Sequence, residues 1–221
     1  MANVPDFYLT IIQYAPLIGR GILVTLAIWV ITSCISIFIG FMLGIFSCNR
    51  ISLPISKKCI QLFVSWAKGV PAYVHILLCY FALPALLPFK ISAFVAGCFA
   101  LGCCSAGYMI EIVRTSINML GNGPWDACFV LGSSAKESLQ RIIIPQMLHN
   151  SSAIIVGELD QLLKSTSLLA TIGVIEITRA GQNIVARELN AAQIYLLIAL
   201  FYLVISLLLN KLSSRIARRV L

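Results

Sequence analysis

The chain is 221 residues long, 60% of them hydrophobic and only 11% charged, with a mean hydropathy of +0.96, whereas a soluble domain carries about 25% charged residues. Apolar runs of about 20 residues replace the amphipathic stripes of a water-soluble core, so lipid is the expected solvent. The formal net charge of +8 sits in small clusters between those runs and forms no basic face, which argues against nucleic acid and for membrane topology.

In chain order, the first ten residues lack the basic stretch of a secretory signal, and the first apolar run is too long for one, so it is expected to be retained. Residues 21–46 contain no charge and suffice for a tilted span of about 39 Å at 1.5 Å per residue. Ser36, Gly40 and Gly44 form a row of small residues there, suited to close helix packing within the chain. Arg50, Lys57 and Lys58 follow, and residues 59–67 read as a short amphipathic helix leading into a second span, 69–89. Pro71 suits a helix N-terminus, and Pro84 and Pro88 predict an end near Leu83. Residues 91–113 form a third span rich in Gly, Ala, Ser and Cys. After a polar interruption, 117–145, comes a less hydrophobic span, 146–163, carrying Glu158 and Asp160. Residues 165–178 are too few to cross and read as a re-entrant or interfacial piece, and 189–210 form an uncharged final span.

The predicted fold is thus all-α and integral to the membrane, with five transmembrane helices in one domain, 1–221. Five spans place the termini on opposite sides. Arg50, Lys57, Lys58, Arg114, Lys136, Arg141, Lys211, Arg215, Arg218 and Arg219, ten of the sixteen Lys and Arg, then share the side of the C-terminus, which the positive-inside rule makes cytoplasmic. The N-terminus is expected outside. Cys34, Cys79, Cys98, Cys103 and Cys104 lie in apolar runs with no C-x-x-C pair, and read as small apolar fillers.

The interruption, 117–145, has the richest local chemistry. Gly121, Asn122 and Gly123 form a turn, Pro124 suits a first helical position, and Asp126 complements the dipole of a short helix over 124–131. Gly132 stops that helix, and Ser134 with Glu137 forms a capping box that starts another. Small Ala127 and Cys128 would let the first helix lie deep in a partner's groove, with Trp125 and Phe129 as anchors. A loop that merely joins two spans fits the local physics equally well.

The spacing Asp126-Ala127-Cys128, Gly132, Ile142, Pro145 resembles the coupling-loop motif of ABC importer permeases, E-A-A-x3-G-x9-I-x-L-P. KGVP at 68–71, YMIEIVR at 108–114, PQ at 145–146 and LKSTSLLATIGVIEITRAGQ at 163–182 are similar to the polar amino acid subfamily, the histidine, glutamine and arginine permeases. Asp126 stands for the usual Glu, Cys128 for Ala, Val70 for Thr, Ser165 for Asp and Pro124 for Gln, and Asp160 replaces an apolar residue. The resemblance implies a type I, MetI-like permease fold with a cytoplasmic coupling helix in the bacterial inner membrane. It implies alternating access, two permease copies or close paralogues side by side, ABC ATPase subunits docked on the cytoplasmic face, and an extracytoplasmic solute-binding protein. Trp125, Asp126, Ala127, Cys128, Phe129, Gly132 and Pro145 would carry the coupling. The chain contains no G-x-x-x-x-G-K-[ST], so it is expected to bind no cofactor, with ATP and Mg²⁺ held on the partner ATPase.

Ionisable groups at membrane depth are costly and usually face a cavity or each other. Glu158 and Asp160, two residues apart, point to different faces of a helix. Glu158 is assigned to the substrate path, where it would attract an amino or guanidinium group, and Asp160 to a neighbouring helix. Lys164, Ser165, Thr166 and Ser167 resemble the family's K-x-T-S-L, whose backbone N–H groups could receive a carboxylate; a lysine reaching the headgroups is the alternative for Lys164. Lys68 joins the path candidates. Glu111 and Arg114 read as an i,i+3 ion pair, and His75 and His149 as structural. With no H-E-x-x-H or G-x-S-x-G, an enzyme ranks last, with no catalytic or metal residue assigned. A permease for polar amino acids, with arginine suggested by the acidic pair, competes with an ATP-independent secondary transporter or channel.

Overall fold

The computed structural model describes the backbone of residues 4–50, 54–86 and 90–219, and side chains within 9–50, 57–86 and 90–211. Pro88 and the side chains of Arg215, Arg218 and Arg219, used above for a helix end and for topology, lie outside those residues. Every described regular element is helical: α1 Val4–Phe46, α2 Pro54–Gly69, α3 Ala72–Leu77, α4 Leu83–Leu86, α5 Ala93–Met119, α6 Gly123–Val130, α7 Ala135–Ser138, α8 Ile144–Ser165, α9 Ile177–Glu188 and α10 Ala191–Arg219.

Among the described residues, three stretches are long and apolar enough to cross a membrane: Leu9–Phe46, Ala93–Met119 and Ala191–Lys211. A fourth is a bent pair, Lys57–Gly69 and Ala72–Leu86, turned by 103° at the break. The run expected as one span over 69–89 is therefore the far arm of a broken helix. Gly69 and Pro71 explain the break, because proline lacks an N–H and its ring drives the preceding residue out of the α region. Pro71 itself is extended, φ −58° and ψ 139°, at the N-cap of α3.

The expected end near Leu83 is overturned, since α4 runs through Pro84 to Leu86. A π-helical turn, Leu78–Ala82, precedes Pro84, and a second, Leu139–Ile143, precedes Pro145. In both places the wider turn removes the i−4 hydrogen bond that proline cannot donate, so the helix continues instead of stopping. The piece expected as re-entrant over 165–178 is a 3₁₀ turn, Thr166–Ile172, closed by Gly173 at φ +85° and followed by α9, whose N-terminus is capped by Glu176. α1 also begins well before residue 21, with Pro16 inside it.

The chain packs as two compact units. One comprises Met1–Ser33, Pro71–Gly102 and Asp160–Leu208. Its cores are a cluster around Ile28, Ile76, Leu101 and Leu169 and another around Ile177, Ile184, Ile194 and Ile198. Glu176 is fully buried there yet satisfied, accepting from the amides of Thr178 (2.9 Å) and Arg179 (2.7 Å) and from the Tyr202 hydroxyl (3.2 Å).

The other unit comprises Cys34–Val70, Cys103–Leu159 and Leu209–Leu221. The small-residue row of α1 serves within the chain, as expected. A Cβ at Gly40 would overlap Met109, one at Gly44 would stand 2.7 Å from Val113, and Ser36 Oγ lies 2.9 Å from Ser105 Oγ. Residues spaced by four on α1 thus meet residues spaced by four on α5, where a missing side chain lets the backbones approach. α2 runs antiparallel to α5, because Ala67 contacts Gly107 and Cys104 near its end while Ile60 and Gln61 share a cavity with Glu111 and Arg114.

Candidate coupling and translocation sites

In the second unit, Gly121 at φ +69° turns the chain and Pro124 occupies the first turn of α6. Asp126, in that turn, forms an ion pair with Arg50, a partner that the sequence reading did not assign. Ser133 N donates to Cys128 O (3.0 Å) and Gly132 N to Phe129 O (3.0 Å). This pairing closes the helix on a left-handed Gly132, φ +76°. Ser134 Oγ accepts from Glu137 N (3.3 Å), and Glu137 Oε2 accepts from Ser134 N (3.0 Å), which completes the predicted capping box. Those bonds from Ser134 favour the ionised form and hold the Glu137 carboxyl below its ordinary value.

The faces of α6 differ from the expectation. Trp125 and Cys128, expected to meet a partner, are both buried, Trp125 in a cluster with Cys48, Val113, Ile117, Ile143 and Met147. Three residues apart, they share the inner face and clamp α6 to its own unit. Phe129, Val130 and Leu131 are instead 81%, 83% and 80% exposed, beside exposed Asp126, Ala127 and Gly132. Pro145 is exposed near the start of α8.

Also in this unit, Ser105 Oγ donates to Glu158 Oε1 (2.7 Å), and Ser36 Oγ completes a chain of hydroxyls behind it. With the Ser105 proton engaged by the carboxylate, Ser36 is the donor to Ser105. Glu111 and Arg114 form their pair, with Arg114 Nε 3.2 Å from Oε2. Lys68, in the last turn of α2, lies 5.6 Å from the ring centroid of Tyr108.

In the first unit, Asp160 accepts from Lys164 Nζ (2.6 Å), one turn along the same helix. The expectation of a partner on a neighbouring helix is corrected, because an i,i+4 lysine already neutralises this mostly buried carboxylate. Ser165, Thr166 and Ser167 donate to the carbonyls of Gln161 (2.9 Å), Leu163 (2.7 Å) and Lys164 (2.7 Å). Ser165 keeps helical angles, φ −67° and ψ −18°, so the backbone passes from α8 into the 3₁₀ turn with no open helix N-terminus. His75 is fully buried, its Nδ1 3.3 Å from Pro71 O.

Residues 36–221 match the family described as the binding-protein-dependent transport system inner membrane component. The chain belongs to that family. The permease is 30% identical to the arginine transport system permease protein ArtQ of Bacillus subtilis (strain 168), over 97% of this chain and 96% of that one. It is 31% identical to the glutamine transport system permease protein GlnP of Escherichia coli (strain K12), over 92% and 93%. It resembles the crystal structure of an amino acid ABC transporter with histidines at a TM-score of 0.87 and 27% identity, covering 99% of this chain and 100% of that one. An inward-facing MetNI methionine ABC transporter shares the fold at a TM-score of 0.80 and 16% identity, covering both chains fully.

The permease is thus a membrane-embedded, all-helical subunit of an ABC importer, a class that works with an ATPase and a solute-binding protein. Sequence reasoning missed Val130, Leu131, Arg50, Ser36, Ser105 and Tyr108 as neighbours of the candidate sites. The apolar triplet before Gly132 was a usable signal for the first two. No local pattern marks Ser105, whose role depends on which helix lies opposite.

Proposed function

We propose that the permease is the transmembrane subunit of an ATP-driven importer for polar amino acids, working by alternating access. The carrying observation is the exposed Phe129–Val130–Leu131 triplet on a short helix whose other face is clamped by Trp125 and Cys128. An apolar patch presented on a rigid, polar-flanked helix suits a groove on a partner, and the ATPase is that partner. Asp126, Ala127, Phe129 and Gly132 form the docking face, while Trp125, Cys128 and Pro145 set its angle. ATP and Mg²⁺ reside on the ATPase.

All 221 residues form one permease domain with five membrane passages: α1, the broken pair of α2 with α3 and α4, α5, α8 and α10. The N-terminus is outside and the C-terminus cytoplasmic. α8 carries Glu158, Asp160 and Lys164 and is too polar to face lipid on all sides, which supports a second copy or close paralogue beside it. Glu158 and Lys68 line the substrate path; Lys164, Ser165, Thr166 and Ser167, whose side chains bond within their own stretch of chain, are not assigned to it. Relatives named for arginine, glutamine and cystine support amino acids as the class, and Glu158 favours those with a cationic side chain, arginine first.

Co-reconstitution with the ATPase and binding protein, followed by uptake across a panel of amino acids, is the test. ATP-dependent uptake is expected. Transport by the permease alone, indifferent to ATP, would establish a secondary transporter or channel instead.

A further inference from the structure

The polar face of α2 opens onto a cavity of about 410 Å³ in the second unit, whose charged lining is Lys68, Glu111 and Arg114, with Ser47, Gln61 and Ser65 as further polar groups and aliphatic side chains completing the wall. Its size falls within the range of small-molecule sites, about 300–1,000 Å³. Glu111 holds Arg114, with Arg114 Nε 3.2 Å from Oε2. Lys68 has no carboxylate partner among the described residues; it rests on the Tyr108 ring and lines the same cavity as Glu111. The three charges leave one positive charge in excess, so the cavity favours an anionic group at Lys68. Glu111 would repel a plain anion, but its carboxylate still has lone pairs available to a donor.

A free α-amino acid carries both complements on one carbon. We propose that this cavity is an amino-acid subsite separate from Glu158, holding the α-carboxylate at Lys68 and the α-ammonium at Glu111. It reads the two ends that every α-amino acid shares, whereas Glu158 reads the side chain. The assignment rests on the reading of the chain as an amino-acid permease. Both contacts are charge-assisted, and each is stronger here than a neutral hydrogen bond.

The test is equilibrium dialysis of the assembled permease–ATPase complex in nanodiscs, without binding protein, against radiolabelled arginine and glutamine. Both labels are expected to bind, arginine at least as tightly as glutamine. Agmatine, which lacks the α-carboxylate, N-acetylarginine, which lacks the α-ammonium, and inorganic phosphate are each expected to compete at least about tenfold more weakly than arginine. Lys68→Met and Glu111→Gln should each weaken binding about tenfold, and Lys68→Arg should retain it. Competition by agmatine or phosphate equal to that of arginine would overturn the assignment, as would wild-type affinity in Glu111→Gln. If Lys68→Met fails to assemble, Lys68→Arg and Glu111→Gln decide the matter by the same criteria. Amino-acid uptake by a complex that binds no label in dialysis sinks the subsite alone. Absence of uptake for every amino acid sinks the functional reading beneath it.

Discussion

At the residue scale, Gly132 combines two demands. Its φ of +76° is a left-handed conformation that glycine adopts freely, and a Cβ there would meet nothing within 4 Å. Gly132→Asn, whose side chain tolerates that conformation, is expected to preserve ATP-driven uptake. Gly132→Glu should insert normally and yet abolish uptake, because the added charge faces the docked partner; uptake normalised to the amount of inserted protein separates the two effects. Ser105 illustrates the opposite case, a side chain needed inside the unit. Ser105→Ala removes the donor to Glu158 and leaves a carboxylate oxygen unsatisfied, at a cost of about 1–3 kcal/mol. A lower midpoint of thermal unfolding for the purified permease is the expected readout, and an unchanged midpoint would count against the hydroxyl chain.

At the scale of elements, the packing of α1 on α5 is a test of close approach. Gly40→Leu or Gly44→Leu would force side-chain atoms into Met109 or Val113, and overpacking costs typically about 1–3 kcal/mol. Reduced yield and a lower unfolding midpoint are expected for both, whereas Gly157→Ala, with open space around its Cβ, should match wild type in the isolated chain. The start of α7 depends on pH in a defined direction. Because Ser134 lowers the folded-state pKa of Glu137 below its ordinary 4.5, the capping box contributes stability fully above that value and loses it as pH falls through the lowered one. Amide-exchange protection over Ala135–Ser138 should therefore decline in acid in the wild type. Glu137→Ala should show low protection at both neutral and acid pH.

At the scale of the whole molecule, the coupling role predicts that Leu131→Asp, on the exposed tip of α6, leaves the fold intact and severs ATPase stimulation. Co-purification of the ATPase with that variant, compared with wild type, is the check, and full retention would argue against the docking face. Composition alone excluded a water-soluble fold, since apolar runs of span length have no other solvent. The turn residues and capping box of 117–145 were legible because they act over three or four neighbouring residues: Gly132 and Ser134 do locally what their types favour. Spacing over 126–145 identified the family for the same reason, being a property of order along the chain. The break at Gly69–Pro71 has a local cause in those residues, whereas the π turns before Pro84 and Pro145 and the direction of each face of α6 were decided by tertiary packing. Whether proline ends a helix depends on whether a wider turn can absorb the lost hydrogen bond, and whether Trp125 faces a partner or its own core depends on what stands opposite. Glu158 was visible as a costly charge, but only the approach of α5, carrying Ser105, determined what that charge touches.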